Sequence, residues 1–266
     1  MKITMLGTGN ALVTECYNTC FVIEDNQQAL MVDGGGGSAV LHQLKHAGYD
    51  WMDMRHIFVT HKHVDHLMGI IWMVRLICQF MNHGEYKGEA CIYSHKEVLD
   101  LIRDMAGKLF PKKITRFMDD RLHLIEIRDG ETVNIIGHDV TFFDIHSTKA
   151  KQYGFCMDLG NGKKLTCCGD EPYEESEEKY AKDSEWLLHE AFCLYGERDL
   201  FDPYEKHHST VKDACELAER LNVRNLLLYH TEDKNLSDRK ALYTEEGSLY
   251  YHGNLFIPDD LESFVL

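Results

Sequence analysis

The stretch Val59–Gly69, VTHKHVDHLMG, places three histidines and an aspartate within six positions. It closes the apolar run MRHIFVTH, which reads as a short strand, and leads into LMGIIWMVRLICQFMNHG, long and apolar enough for a buried helix. His61 and His63 stand two apart at the strand end, so their rings project into one space if the chain turns there. Asp65 and His66 follow where the helix begins. Neutral imidazole and carboxylate are good ligands for zinc and other borderline divalent ions. Four such side chains in the order H-x-H-x-D-H, flanked by buried-type runs, point to a metal rather than to a polar surface turn.

Outward from this stretch, three more candidates each end an apolar strand. His146 closes VTFFDIHS, Asp170 closes KLTCCGD and His230 closes NLLLYH. Layered α/β proteins gather their chemistry at strand ends. The set suits two metals: His61, His63 and His146 for one, Asp65, His66 and His230 for the other. The carboxylate of Asp170, with its two oxygens, bridges them. Two close cations share a hydroxide and lower its pKa towards neutrality, giving a nucleophile without a serine or cysteine.

The remaining chain reads as strands in hairpins with helices between. MKITMLGTGN, TCFVIED and ALMVDGGGG are strands, and SAVLHQLKHAG is a helix ending at Gly48. SHKEVLDLIRDMAGKLF is a helix with Ser94 as N-cap and Glu97 completing a capping box. GNGK between alternating runs signals a hairpin. WLLHEAF, the helix TVKDACELAERLN and the strand NLLLYHT follow. This pattern predicts sheets packed together and covered by helices, a four-layer αβ/βα sandwich in one domain, residues 1–266. LGTGNAL lacks the third glycine of a dinucleotide-binding turn.

Composition excludes several classes. The chain has 266 residues, is 44% hydrophobic and has four prolines, with no low-complexity linker. No apolar stretch follows a basic N-terminus, and no apolar run approaches the ~20 residues of a membrane helix. A cytoplasmic protein without a membrane partner is expected. Nine cysteines without a CxxC pair read as reduced thiols, and adjacent Cys167 and Cys168 as small buried strand residues. The net charge of −16 repels a long nucleic acid unless basic residues gather on one face.

The ligand pattern, with MLGTGNA, MVDGGGG and LYHTE around it, resembles the metallo-β-lactamase superfamily over most of the chain. That resemblance implies the same sandwich and the same two-metal set. It also implies a supporting role for Asp33 in MVDGG beneath the metal-binding loop. LLHEAF, with His189 and Glu190, and KHHSTVKDA, with His207 and His208, resemble motifs of tRNase Z and related phosphodiesterases. By this resemblance Glu190 and His208 form a hydrogen-bonded couple. His208 contacts the phosphate and protonates the leaving oxygen, Glu190 holds its tautomer, His189 lies behind them, and Asp65 orients the nucleophile. His207 reads as a surface neighbour.

tRNase Z carries a long arm that grips tRNA, commonly between the third histidine motif and the bridging aspartate. Here only STKAKQYGFCMDLGNGKKLTCCG lies between His146 and Asp170, and a hairpin uses it up. The expected function is therefore a two-metal phosphodiesterase acting on a small phosphodiester or a nucleic-acid end, with a metal-bridging hydroxide as nucleophile. Lys149 or Lys151 would neutralise the phosphate. The alternatives are a tRNA 3′-processing endonuclease, an ester, thioester or lactone hydrolase, and a non-catalytic metal-binding protein. A flavodiiron-like redox role needs a flavin domain that is not present. Zinc is the expected metal, with manganese or iron as alternatives, and the resemblance implies a homodimer.

Overall fold

The apolar runs pair into two seven-stranded sheets in the computed structural model, which describes residues 1–266. The first sheet contains β1 (Lys2–Gly7), β2 (Cys20–Asp25), β3 (Gln28–Val32), β4 (His56–Phe58), β5 (Ala90–Ser94) and β6 (Leu122–Glu126). The second contains β7 (Thr132–Ile135), β8 (His138–Asp144), β9 (Tyr153–Gly160), β10 (Lys163–Cys167), β11 (Trp186–Glu190), β12 (Asn225–Tyr229) and β13 (Asn254–Phe256). The terminal strand β14 (Ser263–Val265) returns to pair antiparallel with β1. The orders are β14-β1-β2-β3-β4-β5-β6 and β13-β12-β11-β10-β9-β8-β7.

Both halves start antiparallel and finish parallel, along β3 to β6 and along β10 to β13. Tight turns permit the first arrangement. The second needs crossovers, and helices supply most of them. GNGK makes the β9–β10 turn as expected, with Gly160, Asn161 and Gly162 all at positive φ.

Three separate apolar clusters mark the seams between four layers. Ile3, Phe21, Phe58, Phe142, Phe155, Leu188 and Leu227 meet between the sheets. Helices Ala39–His46, Val64–His83 and Lys96–Leu109 cover the first sheet, through Leu44, Ile70, Val74 and Ile102. Helices Val211–Arg220 and Arg239–Gly247 cover the second, through Val211, Leu217 and Tyr243. The expected αβ/βα sandwich is the observed one.

Two sequence expectations need correction. Ser94 is the last residue of β5 and donates its hydroxyl to the Val59 carbonyl at 2.7 Å, so His95 takes the N-cap position without a side-chain cap bond. Sheet pairing outcompetes the cap. The 20-residue helix Val64–His83 is also long and apolar enough, by length and composition, to cross a membrane. Its Ile70, Met73, Val74 and Ile77 instead fill the core beneath the first sheet, and Gly84 at φ 74° ends it.

Topology sets where chemistry gathers. The parallel strands of each sheet deliver their C-terminal ends to one edge, and the candidate site residues lie in the segments after β3, β4, β8, β10, β11 and β12, apart from His189 and Glu190 at the end of β11 itself.

Candidate metal centre

The N-terminus of the Val64–His83 helix is pressed directly on the glycine turn after β3. Gly34 N–H donates to the His66 carbonyl at 2.8 Å, and Gly69 N–H donates to the Gly35 carbonyl at 2.9 Å. A Cβ at Gly69 would lie 1.8 Å from the Gly34 oxygen, so only glycine permits this approach. It brings Asp33 against the histidine-rich turn. The Asp33 carboxylate accepts from Thr60 N–H at 2.8 Å, the Thr60 hydroxyl at 2.8 Å and His66 Nδ1 at 2.7 Å. That last bond puts the proton on Nδ1 and leaves Nε2 of His66 facing inward, bare and buried. Thr60, which the sequence reading missed, is thus part of the support.

Nitrogens and oxygens converge on the inward side. His61 Nε2 is 3.6 Å from Asp170 Oδ2 and 2.8 Å from His63 Nδ1. His66 Nε2 is 3.4 Å from both Asp65 Oδ2 and Asp170 Oδ2. His230 Nε2 is 3.5 Å from the same two oxygens. Two triads, His61–His66–Asp170 and Asp65–His66–His230, each hold their ligand atoms within 4.8 Å of one another. All five residues are buried.

Burial drives the His61 and His63 pKa values down, which favours the neutral, ligating form. Burial acts the same way on His66, but Asp65 and Asp33 outweigh it and raise that group well above the usual histidine range. Burial opposes ionisation of Asp170, yet His61, His66 and His230 hold its carboxyl well below the usual range. Asp65 is likewise lowered, against its burial, by His66 and His230. His66 Nε2, Asp170 Oδ1 and both ring nitrogens of His230 have no hydrogen-bond partner. Buried polar atoms left bare are costly, and this donor set matches that of divalent cations. The residues therefore fit the metals that the sequence implies.

His146 is not brought into either triad. Its ring is 60% exposed, and its Nδ1 lies 3.9 Å from Asp144 Oδ1. The loop after β8 turns at His146 with φ 56°, and the His146 N–H donates to Asp144 Oδ1 at 2.9 Å. Its neighbour Ser147 donates to Glu171 at 2.6 Å, so the loop backbone lies against the turn that carries Asp170. Glu171 was also missed. Its signal was its place directly after Asp170.

Glu190 ends β11, and His208 lies in the loop before the Val211–Arg220 helix. His208 Nδ1 stands 3.6 Å from Glu190 Oε2, an ion-pair distance rather than the expected hydrogen bond, and the other Glu190 oxygen accepts the Ser209 N–H. The His208 ring stacks on Phe192, with centroids 4.8 Å apart, and lies 5.1 Å from the His230 ring. His207 is exposed, as expected. His189 points to the opposite side of β11. Its Nδ1 donates to the Glu190 carbonyl at 2.7 Å, and it lines a separate cleft with Tyr173 and Arg220, touching no ligand. A cavity of about 560 Å³ opens onto His63, Asp65, Asp170, His208 and His230. Ala11, Val64, Leu101, Lys62 and Lys149 complete its walls.

The sandwich with this donor set at one edge defines a metal-dependent hydrolase of the metallo-β-lactamase superfamily, tRNase Z-like in its motifs. Known proteins agree. Ribonuclease Z of Staphylococcus carnosus is 27% identical over 316 aligned positions, covering all of both chains. The metallo-β-lactamase fold protein YhfI from Bacillus subtilis superposes with a TM-score of 0.77 at 19% identity, covering 99% of each chain. The human tRNase Z short form gives 0.75 at 18%, covering 100% of this chain and 99% of that one. The family described as anti-Pycsar protein Apyc1 matches residues 1–250, and the chain belongs to that family.

Proposed function

We propose that the protein is a two-metal phosphodiesterase acting on a small phosphodiester or a nucleic-acid end. The observation that carries this reading is that Asp65, Asp170 and His230 of the buried donor set open onto one cavity with His208, which Glu190 backs from within. His61, His63, His66, His230, Asp65 and Asp170 would hold the metals, and His146, outside both triads, would join them only through a turn of its exposed ring. Divalent ions in such a set supply an acidified water and a Lewis acid for phosphoryl oxygens. Asp65, beside His66 and His230, would orient that nucleophile. His208 protonates the leaving oxygen, held in orientation by Glu190 and by stacking on Phe192.

The length of the chain supports a small substrate. The alignment with the Staphylococcus ribonuclease Z spans 316 positions against 266 residues here, so about 50 of its positions have no counterpart. Together with a net charge of −16, this disfavours a grip on a whole tRNA. A cavity of about 560 Å³ suits a ligand of nucleotide size.

Bis(p-nitrophenyl) phosphate should be cleaved in the presence of Zn²⁺ or Mn²⁺, and Asp65→Ala should abolish that cleavage. His208→Ala should lower kcat by about 10²- to 10⁴-fold with metal content intact. Absence of diester cleavage at full metal occupancy, with good turnover of a thioester, would replace this reading with that of an ester-type hydrolase. Faster turnover of a precursor tRNA than of small diesters would restore the processing nuclease.

A further inference from the structure

The two lysines after His146 occupy different environments. Lys151 points away from the cavity, 3.5 Å from Asp144 and over the Tyr153 ring. Lys149 lines the cavity wall, with its ammonium 3.4 Å from His208 Nε2. The same ammonium donates to the Lys206 carbonyl at 3.0 Å, and it stands 3.5 Å from the His207 carbonyl and 3.7 Å from Glu171. Of the three donors of this ammonium only the one to Lys206 makes a short bond; the contacts to His207 and His208 are long and can give way to a stronger acceptor.

Its position is built rather than incidental. Glu171 is buried and directly follows Asp170. It accepts from the Ser147 hydroxyl at 2.6 Å and from Thr148 N–H at 3.4 Å, and the Ser147 oxygen in turn accepts the N–H groups of Lys149 and Ala150 at 3.2 Å. The turn that presents the shared metal carboxylate therefore also fixes the loop that presents Lys149. Lys62, the other lysine on the cavity wall, is more exposed than Lys149 and pairs with exposed Glu97 at 3.3 Å, so nothing buried fixes its place.

We infer that Lys149 is the phosphate-contacting cation of this site, placed by Glu171, and that it gives the site its preference for an anionic phosphodiester. This rests on the phosphodiesterase reading for its substrate but not for its binding test. The Lys149 ammonium donates to a non-bridging phosphoryl oxygen on the His208 side of the cavity. The phosphoryl group gains charge-assisted hydrogen bonding where negative charge builds up.

The test uses the full-length, metal-loaded protein and its Lys149→Met and Lys149→Arg variants. Calorimetric titration with inorganic phosphate should show about 10- to 100-fold weaker binding in Lys149→Met and partial recovery in Lys149→Arg. Metal content should equal that of the wild type. kcat/KM for bis(p-nitrophenyl) phosphate should fall by a similar factor and recover likewise. Phosphate affinity unchanged by Lys149→Met, or loss of metal from that variant, overturns the assignment. Lys149-dependent phosphate binding in a wild-type protein that cleaves no diester upholds it and sinks the reaction proposed above.

Discussion

His146 stands apart from the other histidines of the centre in where its ring points. Asp33, His146 and His230 share a left-handed backbone, with φ of 58°, 56° and 58°. Each such non-glycine residue stores about 1–3 kcal/mol of strain, which persists where surrounding structure enforces it. Asp33 and His230 use that turn to aim into the centre, whereas the His146 ring faces solvent. On the two-metal proposal His146 is the most weakly placed ligand and should matter to one ion more than to the other. His146→Ala should weaken one of two metal equivalents by at least about tenfold in a calorimetric titration and leave the other nearly intact. Unchanged affinity at both equivalents would remove His146 from the ligand set. The ligand types were legible in the sequence because His and Asp crowd together only for chemistry. The rotamer of a residue on an open loop, and the role of Thr60 or Glu171, were not, since these depend on contacts distant in the chain.

Among elements, the contact between the Val64–His83 helix and the turn after β3 is the least forgiving. Gly69→Ala forces a methyl group onto the Gly34 carbonyl, which is backbone and cannot swing aside. Thermal unfolding should show a loss of about 2 kcal/mol or more, with weaker metal binding because Asp33 no longer reaches His66. A variant with wild-type Tm and metal affinity would show that the approach relaxes freely. The sequence displayed these glycines as a turn signal, but the distant partner that demands them was invisible.

A second element-scale prediction concerns the short helical segment Glu175–Glu177. Glu177 is buried against Cys168, and burial raises its carboxyl to about 8. In the unfolded chain the group ionises near the ordinary glutamate value of 4.5, so the unfolded state loses its proton first as pH rises. Stability from this group is therefore full below about pH 4.5, declines between that and about pH 8, and is lowest above. Glu177→Gln should be stabilising by about 1 kcal/mol or more at pH 8 and near neutral at pH 4.5, read as paired Tm values. A difference independent of pH would show that Glu177 is charged in the folded protein.

Across the whole molecule, two half-structures of similar design meet at one edge. The first sheet and its helices supply Asp33, His61, His63, Asp65 and His66, and the second supplies Asp170, Glu190, His208 and His230. Hairpin signals and apolar runs made the layer order legible. Ser94 misled because a capping pattern in sequence does not reveal a neighbouring strand that claims the same residue. The halves are joined at the site by Asp170, whose one oxygen faces His61 and His66 from the first half and His230 from the second. Metal bound there should stabilise the folded chain by mass action, since the unfolded chain has no assembled site. Calorimetric titration of the metal-free protein with Zn²⁺, paired with thermal unfolding, measures this directly. The account predicts two equivalents and a raised Tm for the wild type, with both diminished in Asp170→Asn. No binding, or an Asp170→Asn variant matching the wild type in stoichiometry and Tm, would contradict it.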